Sequence, residues 1–323
     1  MQALVIQKVV RNVTKYKVFS LINDGTTDSS KKDAQAVLVR YVEETEDSKL
    51  RPVERLLSVF TTGDTSGQGL CESVVQCLNN YGLPCEWIIG QSYDGASNVR
   101  GKHTGLRTRI QAISERALYM WCKAHRLNLI VESVLGYSTA ICGTLGLLQE
   151  LYNFFLGHKR HAVLINLQKD AQSTRTLKRV SDTTRSWRSA EDGVNTVLEC
   201  FDALYGALTE LSQNSTDSST VNSSSGLCGR LNDFSVIVCL FVLREILSIT
   251  GPISRMLQAV MTDLAISSEL LQNCISQFKA MRQNADEHWT RTYKEAKSFA
   301  EIHSITSEFT EKRTAKLSVC PVN

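Results

Sequence analysis

No G-x-x-x-x-G-K-S/T phosphate loop, G-x-S-x-G elbow, H-E-x-x-H pair or dinucleotide fingerprint occurs in the 323 residues. The motif-borne chemistries of nucleotide binding, acyl transfer, zinc proteolysis and hydride transfer are therefore without support. Charge of one sign is also scarce: 36 Lys and Arg stand against 33 Asp and Glu, a formal net charge of +3, too mild to mark a nucleic-acid binder by composition alone. The first residues, Met1 to Arg11, lack the long apolar core and small-residue cleavage site of a secretory signal. No apolar stretch is expected to reach the roughly 20 residues of a membrane span. A soluble, intracellular chain with no membrane partner is the expectation. The ten cysteines follow no compact repeating spacing, and several, such as Cys239, lie in apolar runs, where a free thiol acts as a small hydrophobe. A reducing compartment fits best.

What is present is a chain that is 42% apolar and 21% charged, enough for a substantial core and more than one compact domain usually needs. Residues 16–24 read as a first strand and 34–42 as a second, rich in β-branched residues; 51–62 read as a third, joined to the second by an acidic turn. A helical period through Leu70, Val74, Val75, Leu78 and Tyr81 follows, ended by Gly82 and Pro84. A strand over 85–94, a helix between 96 and 113, a strand over 117–122 and a helix through Leu127, Ile130, Val131 and Val134 complete the order β-β-β-α-β-α-β-α. This is the order of a ribonuclease-H-like mixed sheet, an α/β class in which the first and fourth strands are neighbours. From about residue 138 strand signals stop and long helical spacings take over. Two domains are expected, 1–137 and 138–323, the second all-helical and interrupted by a Ser-rich disordered loop at about 212–226.

Asp24 and Asp94 each close one of the apolar strand runs and are followed by Gly, Ser or Thr. Carboxylates at the C-terminal ends of adjacent strands sit where open α/β sheets place ligands, and two of them make half of a divalent-metal site. Asp28 reads as a turn residue. Arg100, Lys102, Arg107 and Arg109 form a basic cluster that reads as a solvated helix face; should it line the groove beside Asp94, it would track phosphates without reading bases. A further group, Arg175, Lys178, Arg179, Arg185 and Arg188, reads as a solvated helix face. Cys122 and His125 have C-x-x-H spacing, and His158 and His161 could complete four ligands, yet a separation of 33 positions between His125 and His158 is unlike a compact zinc finger. The expectation for Cys122 and His125 is a packed strand-to-helix junction, without zinc.

Three strings, from Phe19 to Asp28, from Gln91 to Asn98 and from Cys122 to Leu129, resemble hAT-type transposases in order and spacing. Within them the chain is similar to the domesticated or element-derived MYM-type zinc-finger protein 1-like group, and the stretches Ser181 to Trp187 and Leu257 to Leu264 look like that family's helical region. The resemblance implies a DNA cut-and-paste nuclease core with a helical insertion after the fifth strand and three acids holding two Mg²⁺. Asp24 matches the first acid and Asp94 the second. The third, a glutamate, lies in relatives on a helix after the insertion, followed by a dimerisation segment; this chain is expected to end, at Lys316 to Asn323, before either. An upstream DNA-binding zinc finger is expected to be missing too. Gly25 stands where relatives carry a glutamate, and Ser186 interrupts their Thr-Arg-Trp element.

The resulting expectation is a truncated hAT-transposase-derived protein, catalytically inactive, nuclear by resemblance, with residual nucleic-acid or protein binding. Asp24 and Asp94 would be vestigial ligands, with Mg²⁺ weakly bound or absent. Two alternatives stay open: an active Mg-dependent nuclease that recruits Glu295 or Glu301 as its third carboxylate, and a protein-interaction scaffold using the apolar helices from Asp233 to Met281.

Overall fold

The computed structural model describes residues 2–27, 33–45, 47, 49–170, 175–177, 187–260 and 262–309. It divides into two compact units, Met1–Arg126 with Leu257–Ser267, and Leu127–Met256 with the chain from Ser268 on.

The first unit is a five-stranded mixed sheet in the order β3-β2-β1-β4-β5. Its strands are β1 (Phe19–Thr27), β2 (Asp33–Glu44), β3 (Leu50–Thr61), β4 (Ile88–Tyr93) and β5 (Leu118–Trp121). The three leading strands are antiparallel neighbours, whereas β4 and β5 add in parallel after crossovers. The expected adjacency of the first and fourth strands is present: Leu21 pairs with Gln91 and Ile22 with Ser92. Alternation sets the faces. Phe19, Leu21, Val37, Val39 and Tyr41 are buried on one side of the sheet with Val74 and Leu78 of α2 (Gly67–Asn80). Ser20, Ile22 and Asp24 lie half-exposed on the other side.

Three features differ from expectation. The chain opens with α1 (Gln2–Tyr16), for which the sequence raised no expectation, and Tyr16, read as the start of the first strand, ends this helix. Val9 and Val13, one turn apart, are fully buried in the core that α1 shares with β2, and Lys17, at φ +53°, breaks the helix before β1 begins. The first strand does not stop at Asp24. It runs on to Thr27 because β2 continues to pair with it as far as Thr27↔Asp33, so Asp24 lies inside β1 opposite Ala36. The region between β4 and β5 holds two helices, α3 (Ser97–Arg100) and α4 (Leu106–Ile113), not one.

The second unit is helical. Its sequence supplies α6 (Thr139–Phe155), α7 (His158–Asp170), α8 (Trp187–Glu199), α9 (Phe201–Asn214), α10 (Ser218–Leu231), α11 (Phe234–Leu257) and α13 (Ala285–Ile302), while α5 (Lys123–Leu135) leads in from β5 and α12 (Leu264–Gln283) precedes α13. Phe201, Phe241, Phe299 and His303 form an aromatic cluster that ties α9, α11 and α13 together, with edge-on Phe201–Phe299 centroids 5.2 Å apart. The Ser-rich segment expected to be a disordered loop is corrected to helix over most of its length. Asp217 caps α10 by accepting hydrogen bonds from the backbone N–H groups of Ser219 and Thr220. Thr220, Ser224, Leu227 and Leu231 then fall on one buried stripe, and Ser224 Oγ donates back to the Thr220 carbonyl at 2.7 Å. Composition misled because small hydroxyl residues on that stripe satisfy themselves against the helix backbone. Asp217→Ala is accordingly expected to lower the thermal midpoint, while Asp217→Asn, which keeps an accepting oxygen, retains most of it in the same melt.

Among the described residues the expectation that no apolar stretch reaches the length of a membrane span fails at α11. α11 is long and apolar enough to cross a membrane, yet Arg244 and Glu245 sit at its middle and are matched by Glu295, His288 and Thr292 of α13. Over half of its apolar window is buried, as in the core helix of a bundle. Within the stretch from Asp233 to Met281 that a scaffold would use, the exposed large apolar side chains are Met256 of α11, Val260, and Leu264, Ile266 and Ile275 of α12.

Candidate functional site

The β1–β4 ladder ends at Ile22↔Ser92, after which β1 pairs with β2 alone and β4 stops at Tyr93. Asp24 lies in β1 two residues beyond the last of these pairs, and Asp94 follows β4 directly; both are half-exposed. Asp94 folds over its own turn: its Oδ1 accepts the Ala96 N–H at 3.0 Å, and Gly95 follows at φ +87°. The indole Nε1–H of Trp121, the last residue of β5, donates to the Asp94 carbonyl at 2.9 Å. Trp121 is the positioning residue of this turn.

Around Trp121 the cations gather. The Arg100 guanidinium lies 4.7 Å and that of Arg126 4.9 Å from the Trp121 ring centroid, and Arg107 lies 5.1 Å from that of Tyr119. Tyr119 also stacks on Tyr93, with centroids 5.9 Å apart. Ser97, Arg100, Gly101, Lys102 and Arg107 line an open depression of about 410 Å³. Its walls are tied to the sheet: buried Gln91 donates to the carbonyls of Arg107 (3.0 Å) and Ala117 (2.9 Å). The Tyr93 hydroxyl holds Gln91 in turn at 2.9 Å, while burial pushes the Tyr93 phenol well above its ordinary value and so keeps it a neutral donor. Thr108 Oγ1 lies within hydrogen-bonding distance of the carbonyls of Gly101 (3.0 Å) and Lys102 (3.1 Å).

Of the four cations singled out in the sequence, Arg100, Lys102 and Arg107 share this depression. Arg109 does not line it; its Nε donates to the Thr104 carbonyl at 3.1 Å. Trp121 and Tyr119 carried no motif signal, and Gln91 and Arg126, though inside the strings that carry the resemblance, carried none of their own, since each matters here through neighbours distant in sequence. In the second basic group Arg175 is taken by a two-pronged pairing with Glu199 at 2.7 and 2.8 Å. Lys178, Arg179 and Arg185 lie outside the described residues, as do Asp28, Cys320 and the Ser181 to Ser186 stretch, and the Arg188 side chain is not described. Cys122 sits between β5 and α5, its N–H extending the ladder to the Tyr93 carbonyl at 3.1 Å, and His125 follows in the first turn of α5.

The two-ion chemistry that the resemblance implies needs more ligands than Asp24 and Asp94. Among the described residues no group of three or more His, Cys, Asp or Glu side chains could hold a metal ion, and paired ions are bridged and flanked by several carboxylates. Asp24 and Asp94 therefore fit less than a two-ion centre. Glu295, one candidate for the third carboxylate, is engaged by Arg244 at 2.5 Å within the helical unit.

Residues 1–105 match the family DUF4371, described as "ZMYM1/FAM200, RNase-like domain". The chain is also similar to the "52 kDa repressor of the inhibitor of the protein kinase" of Homo sapiens, 23% identical over 315 residues, and to that of Mus musculus, 22% identical. Each alignment covers 93% of this chain and 40% of the relative, so the chain spans about two-fifths of the length of the curated relatives it matches. With the ribonuclease-H strand order, these matches support a transposase-derived protein with an RNase-like domain at residues 1–105.

Proposed function

We propose that this protein binds nucleic acid through its RNase-like unit and does not cut it, acting as a regulatory rather than a catalytic descendant of a transposase. The observation that carries the reading is the imbalance at the strand edge. Among the described residues no third His, Cys, Asp or Glu joins Asp24 and Asp94 in a metal-holding group, whereas a two-ion nuclease uses several acids, and three cations line a common depression. An edge short of acids and rich in guanidinium groups attracts phosphate without activating water against it. The two mammalian relatives are named as repressors, which supports a regulatory role and, with it, a place in the nucleus. Any Mg²⁺ held by Asp24 and Asp94 is weak, with water filling most of its coordination sphere.

The test is incubation with supercoiled plasmid in Mg²⁺ or Mn²⁺ alongside a binding assay on labelled duplex. Retained duplex with no nicked product is the expected result. Asp94→Asn should bind at least as tightly as the parent, because it removes a negative charge from beside the phosphates. Robust metal-dependent nicking that disappears in Asp94→Asn would overturn the proposal and restore the nuclease alternative.

A further inference from the structure

The depression beside Asp94 has a chemistry that restricts what can fill it. Its lining holds Arg100, Lys102 and Arg107, one hydroxyl from Ser97 and no carboxylate. Arg100 and Arg107 are held against Trp121 and Tyr119, so part of the side-chain freedom that a surface arginine loses on binding has already been given up. The backbone under them is fixed as well, through Gln91 to Arg107 and through Thr108 to the Gly101–Lys102 turn. A guanidinium lying on a ring still presents its N–H edge outward, in the planar fork that matches two phosphate oxygens.

The same packing argues against base reading. Nucleobases are captured by stacking on free aromatic faces, yet Trp121 already carries two guanidinium groups and Tyr119 lies between Arg107 and Tyr93. No side-chain amide is among the residues lining the depression, which leaves out the Asn and Gln that pair with adenine edges.

We infer that this depression is a phosphodiester-binding subsite, in which Arg100, Lys102 and Arg107 take the backbone oxygens of nucleic acid without regard to sequence. It rests on the reading that the RNase-like unit binds nucleic acid, and it names where and by what chemistry.

The experiment compares three forms of the full chain by fluorescence anisotropy on two labelled duplexes of unrelated sequence across a salt series. They are the wild type, the site variant Arg100→Gln/Lys102→Gln/Arg107→Gln, and a control with the same charge loss in the helical unit, Lys279→Gln/Arg282→Gln/Lys297→Gln. The site variant is expected to bind both duplexes about tenfold or more weakly, with the slope of log affinity against log salt reduced by roughly 2–3, about 0.9 for each phosphate no longer neutralised. The control should stay within about twofold of wild type, and Arg100→Lys/Arg107→Lys should bind between the wild type and the site variant with the salt slope of the wild type, since charge is kept while the planar fork and its seat on the ring are lost. Equal weakening of site variant and control, unchanged binding by the site variant, or weakening confined to one sequence would overturn the subsite while leaving nucleic-acid binding intact. A wild-type chain that binds neither duplex would instead overturn the underlying reading, and the subsite with it.

Discussion

Replacing Gly95 by valine should destabilise the RNase-like unit by about 2–5 kcal/mol, from two separable sources. The backbone at Gly95 sits at φ +87°, a region that costs an L-residue with a branched side chain about 1–2 kcal/mol. A Cβ there would also lie 2.2 Å from the Trp121 Nε1 and 2.5 Å from its Cε2. The ring cannot retreat without surrendering its 2.9 Å bond to the Asp94 carbonyl, and an indole N–H left without a partner costs about 1–3 kcal/mol. Binding should fall together with stability, because Arg100 and Arg126 are both placed against that ring. The natural control is Gly63→Ala, since a Cβ at Gly63 meets nothing within 4 Å. Thermal melts of the two variants, with anisotropy on the folded fraction of each, check the result. A Gly95→Val chain as stable as Gly63→Ala would mean that the Asp94 turn is not held by Trp121.

The turn at Gly95 illustrates which parts of this molecule can be read from sequence. Strand alternation and the β-β-β-α-β order locate the sheet, because both are local patterns with a fixed period. The pairing of β1 with β4 follows from the handedness of crossovers. Asp94 is legible as the residue that follows β4, whereas Asp24, read as the end of its strand, lies inside β1. The length of β1 is not legible. Gly25, Thr26 and Thr27 read as a turn, and only the partner strand, pairing as far as Thr27↔Asp33, keeps them extended. Nor is the role of Trp121, which depends on Arg100, Arg126 and the Asp94 carbonyl arriving from three other places in the chain. The four-residue basic cluster is legible only as a cluster. Helical geometry then places Arg107 in the depression and directs Arg109, two residues on, to the Thr104 carbonyl. α10 is the opposite case, in which local composition spoke clearly and misled, since the buried stripe from Thr220 to Leu231 outweighs the serines between its members.

Glu245 is the second position at which a single change should have a large effect, now in the helical unit. It projects from the middle of α11 into a polar knot with α13. His288 Nδ1 lies 2.7 Å from its Oε1, Thr292 donates at 2.8 Å to its Oε2, and Arg291 forms a salt bridge with it. Arg244 next to it pairs with Glu295. Burial pushes the Glu245 carboxyl up, but the His288 and Thr292 hydrogen bonds and the Arg291 charge outweigh it, and the net direction is below the ordinary 4.5. The sign of the linkage follows. A carboxyl whose folded value is depressed adds stability above its unfolded value, and that stability drains away as pH falls through the folded value. Glu245→Leu, which strands His288, Arg291 and Thr292 without an acceptor, should cost about 1–3 kcal/mol near neutral pH, less than a fully buried pair because the site is partly exposed. Glu245→Gln should cost less, since the amide oxygen still accepts from Thr292. Denaturant melts across a pH series should show the gap between wild type and Glu245→Gln wide near neutrality and closing below the ordinary glutamate value. The closure is diagnostic, because a purely steric defect would persist at every pH. A gap that stays constant down the series would mean that the charge on Glu245 contributes nothing to holding α11 and α13 together.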